Sequence, residues 1–477
     1  MTTDDIRASP AAAEPTRVLQ LAMRIAVTML ANGAQTEDVE ASIRLVVRVF
    51  GLEGVQAFVS FSTISISRYG RADEPPTTLL HLVRDRTIDF QRMASASDLV
   101  RRIGAGELDL PGAESEVDRV TAARPPYSAA VAFAAPGLSA AGSTLMFGGD
   151  VLEAVATLAI GLAIQPGLIA LNRSSLPPFF RLGIGAAASA ALVAIVVGLG
   201  LEISGGLVLA GSLLRFLPGY ALVSGFRDLI DGSVVSGTAR VAEAILLAAA
   251  VAGGTALSLA VASSAGVTMR ILTVGQETWG LPISVVASVL AVAAFAVQLG
   301  VPVRAVGQAA AIGAGGWLLH QGSLGPLAGL DPGVATFAAT IVIGVLGRML
   351  ARRYGAPAAL WVVPAILPLL PGLQLVQAML AETESARLSG LIGALGTGFL
   401  IGTGVATGDV LVLAVRGVRD RVVAPAVGAV ADGVDVLVIE PVGRAVDRRR
   451  RGEGGGATRS PAADERGPAP TPPDERG

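Results

Sequence analysis

The stretch LLRFLPGYALVSGFRDLIDGSVVSGTARVAEA, which runs from Leu213 to Ala244, decides the predicted fold. It begins as an apolar helix and is interrupted in mid-span by Leu217-Pro218-Gly219. Proline removes a backbone donor and clashes with the preceding turn, and glycine adds backbone freedom. At membrane depth, such a break is tolerated only where protein or a water-filled cavity satisfies the freed backbone groups.

The same break recurs further along the chain as Leu370-Pro371-Gly372, within LPLLPGLQLVQAML. Two broken helices at matching places in the two halves of a membrane protein indicate a substrate site where the repeats meet. The sequence therefore predicts a secondary transporter. The alternative is that both prolines only kink packed helices.

Composition places most of the chain in a bilayer. Hydrophobic residues make up 52% of it and charged residues only 16%, against roughly 25% charged in soluble domains. Residues 1–127 carry 31 charged side chains, whereas 128–416 carry 23. There is no cysteine and all 36 basic residues are arginine, which excludes thiol chemistry and a P-loop lysine. The net charge of −2 gives no nucleic-acid signal, and we expect neither a cofactor nor a metal site.

We predict an α-helical polytopic membrane protein, with ten transmembrane helices in two five-helix inverted repeats and a small N-terminal α+β soluble domain. Each span is near the ~20 residues that a bilayer requires. The spans are 128–147, 151–171, 182–200, 207–225, 240–263, 281–299, 305–320, 333–350, 357–380 and 388–416. The regions are a disordered 1–14, the soluble domain 15–127, the repeats 128–263 and 281–416, and a polar Arg/Pro/Gly-rich tail 417–477.

The soluble domain has its own pattern of elements. Apolar residues at helical spacing predict a first helix from Pro15 to Asn32, and Thr36 is the expected N-cap of the second. Alternating residues between Val55 and Ser67 predict two strands, and Thr77 to Val83 a third. Further helices are predicted over 90–103 and 114–120.

Arginine placement predicts the orientation. One set of loops holds eight arginines and the opposite set holds only Arg270 and Arg387. Loops rich in basic residues face the cytoplasm. Ten spans then place both the soluble domain and the tail in the cytoplasm, with the protein in a bacterial plasma membrane.

Several segments resemble those of a known family. The segment LANGAQTEDVE (30–40) resembles the SGAET-x-x-VE signature of the threonine/serine exporter family, and SFSTISIS (60–67) resembles the strand pair that follows it. Three membrane stretches resemble recurrent stretches of that family: LPPFF (176–180), RDLIDGSVVSGTARVAEA (227–244) and LPLLPG (367–372). The resemblance covers residues 15–416, although Gln35 stands where the signature more often has an acid.

The resemblance implies a ten-span exporter of L-threonine and L-serine with a cytoplasmic N-terminal domain, driven by the proton motive force. Its partners are then the small-molecule substrate, protons and the lipid bilayer, with a homo-oligomer left open. Split, two-subunit relatives are linked to succinate export, so a dicarboxylate is the alternative substrate. A channel and a membrane-embedded hydrolase are less favoured alternatives.

The candidate substrate site lies at the two breaks. A zwitterionic amino acid needs positive groups for its carboxylate and acceptors for its ammonium, which half-helix ends and arginines supply. Arg215 is an intramembrane charge that either binds the carboxylate or pairs with Glu153 or Asp409. The substrate-binding candidates are Arg215, Pro218, Gly219, Pro371, Gly372, Gln374 and Gln377.

Acidic residues near the breaks are candidates for proton coupling. The strongest candidate for carrying the proton is Asp228, followed by Asp409 and then Glu153. An acid in the first turn of a helix, such as Glu153, more often interacts with the helix dipole. Asp231, Arg240 and Glu243 form a predicted ion cluster at the cytoplasmic mouth, in which Arg240 and Glu243 can pair across one helical turn. His81 and His320 are isolated and are expected to pack or lie at the surface.

Overall fold

The computed structural model describes residues 15–69, 76–84, 86–267, 280–324, 329–371 and 383–427, together with positions 374, 378 and 381; for 415–427 it describes the backbone alone. The predicted disorder of 1–14 and most of the predicted tail fall outside these residues. The N-terminal part opens with two helices, α1 (Pro15–Ala31) and α2 (Thr36–Val49). The helix α1 begins and ends close to its predicted bounds, and α2 begins at Thr36, the residue predicted as its N-cap.

A three-stranded antiparallel sheet follows, in the order β1-β2-β3. Its strands are β1 (Val55–Val59), β2 (Thr63–Arg68) and β3 (Thr77–Leu82). Ile64 and Ile66 of the central strand are fully buried, because alternate residues of a strand face the same side. Two helices complete this part, α3 (Phe90–Gly104) and α4 (Leu110–Ala122).

The N-terminal elements share a core with the rest of the chain. The predicted apolar stripe of α1, Leu19, Met23, Ala26 and Leu30, is buried. One cluster of buried apolar residues continues from it into the later helices. The chain up to Arg416 accordingly forms one compact unit.

The remaining described elements are helices. They are α5 (Ala129–Met146), α6 (Val151–Asn172), α7 (Pro178–Gly198), α8 (Gly205–Leu213), α9 (Gly219–Ile230), α10 (Val234–Ser264), α11 (Gly280–Gln298), α12 (Val303–Leu324), α13 (Pro332–Tyr354), α14 (Ala359–Ala365) and α15 (Glu384–Val427). The helix α15 continues beyond the predicted last span, which ended at 416.

Within the described residues, seven helices are long and apolar enough to cross a membrane: α5, α6, α7, α10, α11, α13 and α15 up to Ala414. The pair formed by α8 with its terminal turn and α9, bent by 53° at the first break, makes an eighth if it counts as one span. Two of the ten predicted spans are not among these helices. The span predicted at 305–320 lies in the 22-residue helix α12, which also carries an arginine, two glutamines and a histidine. The span predicted at 357–380 contains the short apolar helix Ala359–Leu369.

The two breaks have the same local conformation. Each incoming helix tightens into a 3-10 turn, Leu214–Phe216 in one case and Leu367–Leu369 in the other. The leucine that follows is extended in both, with ψ of 129° at Leu217 and 139° at Leu370. This is expected because a residue that precedes proline is pushed out of the helical region.

Glycines allow close helix contacts at matching places in both halves. A Cβ added at Gly254 of α10 would lie 2.1 Å from the carbonyl oxygen of Gly183 in α7. A Cβ at Gly408 of α15 would lie 2.5 Å from the carbonyl oxygen of Ile341 in α13. These separations leave no room for a side chain, so the third and fifth helices of each half pack backbone against backbone.

Candidate functional site

The two breaks touch each other. A Cβ added at Gly219 would lie 2.7 Å from Cδ1 of Leu370, whose side chain is buried. Pro218 is half-buried and Pro371 is buried in the same region. The α9 N-terminus and the end of the second 3-10 turn therefore face one another across the leucine side chain.

The polar residues predicted beyond the second break are only partly described. Gln374 is exposed, and its Oε1 accepts a hydrogen bond from Thr397 Oγ1 at 3.1 Å. Gly372 and Gln377 lie outside the described residues. The structure therefore brings Gly219 and Leu370 together, and it pairs Gln374 with α15.

Arg215 lies in the 3-10 turn before the first break, and its predicted ion pairs are wrong. Its Nη2 donates to Gln165 Oε1 of α6 at 2.8 Å, while its Nη1 is buried without a hydrogen-bond partner among the described residues. Glu153 and Asp409 are both engaged elsewhere. The guanidinium is thus held by a neutral amide.

The carboxylate of Glu153, in the first turn of α6, accepts hydrogen bonds from two backbone N–H groups. One carboxylate oxygen accepts from the Asp150 backbone N–H at 2.8 Å, and the other accepts from the Ser204 N–H at 2.6 Å. Asp150 in turn accepts from the Glu153 N–H at 2.7 Å, which completes a capping box. Glu153 therefore ties the start of α6 to the start of α8.

Five charged residues, Arg227, Asp228, Asp231, Arg240 and Asp409, form what we call the mouth cluster. Arg227 is in a salt bridge with Asp409 of α15 and lies 3.8 Å from Asp231. Arg240 Nε lies 2.9 Å from Asp228 Oδ2, and both side chains are buried. Burial of such a pair is tolerated only because each charge compensates the other.

Glu243 lies beside this cluster but does not pair as predicted. Its Oε1 accepts from Arg86 Nη2 at 2.6 Å, and Arg240 pairs with Asp228 instead. The guanidinium of Arg86 also lies 3.5 Å from the ring centroid of Phe61. The predicted i,i+3 pair between Arg240 and Glu243 is therefore wrong, because each residue has a better-placed partner on another element.

The turn between α1 and α2 is bound directly to the mouth cluster and α9. The Tyr220 hydroxyl donates to the Gly33 carbonyl, and Arg240 Nη2 donates to the Ala34 carbonyl at 3.3 Å. Gly33 has a φ of +98°, a conformation that favours glycine. The resemblance to the family signature rests on this same turn.

The next two residues of the turn continue the contact. With its amide oxygen turned to Arg227, Gln35 accepts from Nε at 3.0 Å and from Nη1 at 3.3 Å. The Thr36 backbone N–H donates to the Asp228 carboxylate. The prediction that Thr36 caps α2 is wrong: Gln35 is the N-cap residue and makes no capping bond with its side chain, because that side chain faces Arg227.

A cavity of about 320 Å³ lies where the turn meets the later helices. Its lining comes from α1, α2 and α3, from Arg227 of α9, and from α13 and the segment 355–359. Its ionisable lining groups are Asp38, Arg227 and Arg348. The volume is at the lower end of the ~300–1,000 Å³ typical of small-molecule sites.

Asp38 and Arg348 differ from Arg227 in having no ion-pair partner within 4 Å among the described residues. Asp38 is exposed and lines the cavity, yet desolvation by the surrounding protein raises the pKa of its carboxyl. This effect outweighs the attraction of Arg227 and Arg348, which lowers the pKa. Arg348 Nε is buried and has no hydrogen-bond partner in the part of the chain that the structure describes. The cavity wall therefore presents one carboxylate and one guanidinium that have not compensated each other.

The two histidines lie apart from this region. His81 is exposed on β3, and His320 stacks on Trp317 with ring centroids 5.7 Å apart. Within the described ranges, no group of three or more His, Cys, Asp or Glu side chains could hold a metal ion.

Comparisons with known proteins identify the family. A model described as "Putative threonine/serine exporter" matches residues 20–262, and a second, described as "Threonine/Serine exporter, ThrE", matches residues 284–415. Together they cover both broken helices and the turn between α1 and α2. The chain belongs to the threonine/serine exporter family.

Two curated relatives of this threonine/serine exporter family member match most of its length. A Mycobacterium tuberculosis protein named "Probable threonine/serine exporter" is 31% identical over 412 residues, which is 84% of this chain and 77% of its own. The "Threonine/serine exporter" of Corynebacterium glutamicum is 26% identical over 409 residues, 82% of each chain. No solved structure matches.

Membership of the threonine/serine exporter family makes this protein a transporter rather than an enzyme. Its apolar helices and its bacterial relatives identify a bacterial membrane protein. Sequence reasoning missed Arg86, Asp38 and Arg348 as parts of the site. The first two lie in the N-terminal part, and the signature at 30–40 was the one signal that pointed to Asp38.

Proposed function

We propose that this threonine/serine exporter family member exports L-threonine and L-serine from the bacterial cytoplasm and that protons drive the export. The names of the two curated relatives support the substrates. The arginine-rich loops support a cytoplasmic location for the N-terminal part and the tail.

The substrate binds between the two broken helices. The contact between Gly219 and Leu370 is the observation that carries this proposal, because it joins the two breaks in space. The α9 N-terminus offers unpaired N–H groups to a carboxylate, and the second 3-10 turn ends in carbonyls suited to an ammonium. Leu370 fills the space over Gly219, so substrate must displace it.

The halves 128–263 and 281–416 act as inverted repeats that rock against each other. The matching 3-10 turns and extended leucines support this arrangement. The glycine contacts between third and fifth helices give the same support. With five spans in each half, similar halves must enter the membrane in opposite directions.

Asp409 is the best of the three candidate proton sites. Its salt-bridge partner Arg227 belongs to the other half, so protonation of Asp409 would release a link between the repeats. Asp228 is committed to Arg240 and to the Thr36 N–H. Glu153 is committed to two helix N-termini.

Counterflow in proteoliposomes tests the function. Purified protein is reconstituted into liposomes that are loaded with unlabelled threonine, serine or succinate. Uptake of the labelled compound is then followed with and without a pH gradient. We expect exchange of threonine and serine, and net transport that requires the gradient. Exchange of succinate alone would establish the dicarboxylate alternative, and net flux indifferent to protons would contradict the coupling.

A further inference from the structure

The cavity lies where three parts of the chain converge. The N-terminal part, the first membrane half and the second each contribute to its wall, through α1–α3, Arg227 and α13 respectively. A bound molecule would therefore contact both halves and the N-terminal part at once. Such a position suits a solute that is handed from the cytoplasm to the transport path.

The charges on the wall define what fits. Arg227 is compensated by Asp409 and Asp231, whereas Asp38 and Arg348 have no ion-pair partner within 4 Å among the described residues. These two charges influence each other electrostatically but do not touch. A small zwitterion can satisfy both, with its ammonium on the carboxylate and its carboxylate on the guanidinium. A dicarboxylate would meet repulsion from Asp38.

The rest of the wall matches a small hydroxylated side chain. Ser42 Oγ donates to the Asp38 carbonyl at 2.8 Å, and Ser97 Oγ donates to the Met93 carbonyl at 3.0 Å. Because both hydroxyl protons are used within their own helices, both oxygens remain acceptors for a ligand hydroxyl. Met29, Met93, Leu45 and Val100 supply apolar lining for a methyl group.

We propose that this cavity is a loading site that selects the exported amino acid: Asp38 binds the ammonium, Arg348 the carboxylate, and the serine hydroxyls the side-chain hydroxyl. This inference rests on the proposed function and adds a second site to it, on the cytoplasmic side of the breaks. The site explains why the signature turn is bound so closely to the membrane helices. That turn leads into α2, which carries Asp38 to the cavity wall that Arg348 also lines.

Ligand analogues that lack one charge test the assignment group by group. Threoninol has no carboxylate, and N-acetylthreonine has no ammonium. Each is used to inhibit labelled threonine counterflow by full-length protein in liposomes. In wild type we expect threonine to inhibit at least tenfold better than either analogue, because a charge-assisted hydrogen bond is lost in each case.

Each variant should weaken one preference and leave the other. Arg348→Gln should lower the preference for threonine over threoninol about tenfold, to what the site between the breaks contributes, while that over N-acetylthreonine persists. Asp38→Asn should do the reverse. Glu37→Gln and Arg353→Gln, exposed neighbours outside the cavity lining, should retain both preferences. A merely structural role would weaken all three ligands in parallel, and that result overturns the inference.

A further variant tests the site without removing a charge, so that its result does not depend on whether the charge variants fold. The double substitution Ser42→Ala and Ser97→Ala keeps both charges, and it should lower the preference for threonine over 2-aminobutyrate about tenfold. Unchanged preferences in all of these variants would refute the loading site while leaving threonine export intact. Failure of the wild type to exchange threonine or serine would instead refute the proposed function itself.

Discussion

The two breaks share a conformation but have different surroundings. Both consist of a 3-10 turn, an extended leucine and a proline. After the first break, α9 carries Arg227 and Asp228 into the mouth cluster and binds the N-terminal turn through Tyr220. After the second, the sequence LQLVQAML carries no charge. The scaffold is repeated, whereas four of the five charges of the mouth cluster come from the first half and only Asp409 comes from the second.

This difference shows how one repeat can gain a separate task. An inverted repeat places equivalent ends on opposite sides of the membrane. In the inverted repeat proposed above, the first break would lead toward the cytoplasm, where substrate is collected, and the second toward the outside, where it is released. Charges and a loading site are useful only at the collecting end.

The largest effect is expected at the buried pair of the mouth cluster. Asp228→Leu leaves the Arg240 guanidinium buried without its partner, which should cost roughly 3–5 kcal/mol of stability. The apparent unfolding temperature of the purified protein measures this. Asp231→Asn is the matched control, because Asp231 is part-exposed and 3.8 Å from Arg227, so its loss should cost under ~1 kcal/mol. Equal effects of the two substitutions would contradict a special role for the buried pair.

The contact between the breaks should show the next largest effect. Gly219→Ala places a methyl against Leu370 and should cost about 1–3 kcal/mol and slow exchange. Combining it with Leu370→Ala should relieve the clash, with a coupling energy of roughly 0.5–3 kcal/mol in a double-mutant cycle. Gly253→Ala, where the added methyl meets open space, is the control. Strict additivity would argue that the breaks do not meet.

A smaller effect is expected where the N-terminal turn is bound. Tyr220→Phe removes the hydrogen bond to the Gly33 carbonyl and should cost about 0.5–1.5 kcal/mol. Proteolysis or hydrogen exchange of the α1–α2 turn measures the loosening. Tyr354→Phe in the second half removes an exposed bond to Gln308 and should leave this turn unaffected. Unaltered protection in Tyr220→Phe would mean that other contacts hold the turn.

The smallest effect depends on pH. Burial raises the pKa of Asp38, so the charged carboxylate destabilises the fold above that pKa, and this cost is lost as pH falls toward the ordinary ~3.9. Asp38→Asn should therefore unfold at a higher temperature than wild type at pH 8 and at the same temperature near pH 4. The charged groups that act on Asp38 are Arg227, Arg348, Glu37 and Asp409. Glu37→Gln is the control, and a difference independent of pH would rule out this account.

Local patterns predicted most elements correctly. The helices α1 and α3 and all three strands begin within a residue or two of their predicted positions, because side-chain periodicity records which face is buried. The helix breaks at Leu217-Pro218 and Leu370-Pro371 could also be predicted from the sequence. Proline restricts the backbone of the residue directly before it, so this effect depends on local sequence alone.

Partner choice could not be predicted from spacing. Arg240 and Glu243 are one turn apart, yet Arg240 binds Asp228 and Glu243 binds Arg86. Arg215 likewise takes Gln165, 50 positions earlier. Such pairings depend on how helices pack, and a helical net carries no information about that. The cavity is the extreme case, because Asp38 and Arg348 come from opposite ends of the folded chain.

The short α1–α2 turn has a mechanical consequence. Its backbone is bonded to Tyr220 on one helix and to Arg240 on the next. If α9 tilts while Leu370 leaves Gly219, the α1–α2 turn and the N-terminal part attached to it must move with α9, or those hydrogen bonds must open. Because the chain contains no native thiol, spin labels on the exposed Phe58 position and on the loop after α13 would convert this tilt into a measurable change in distance.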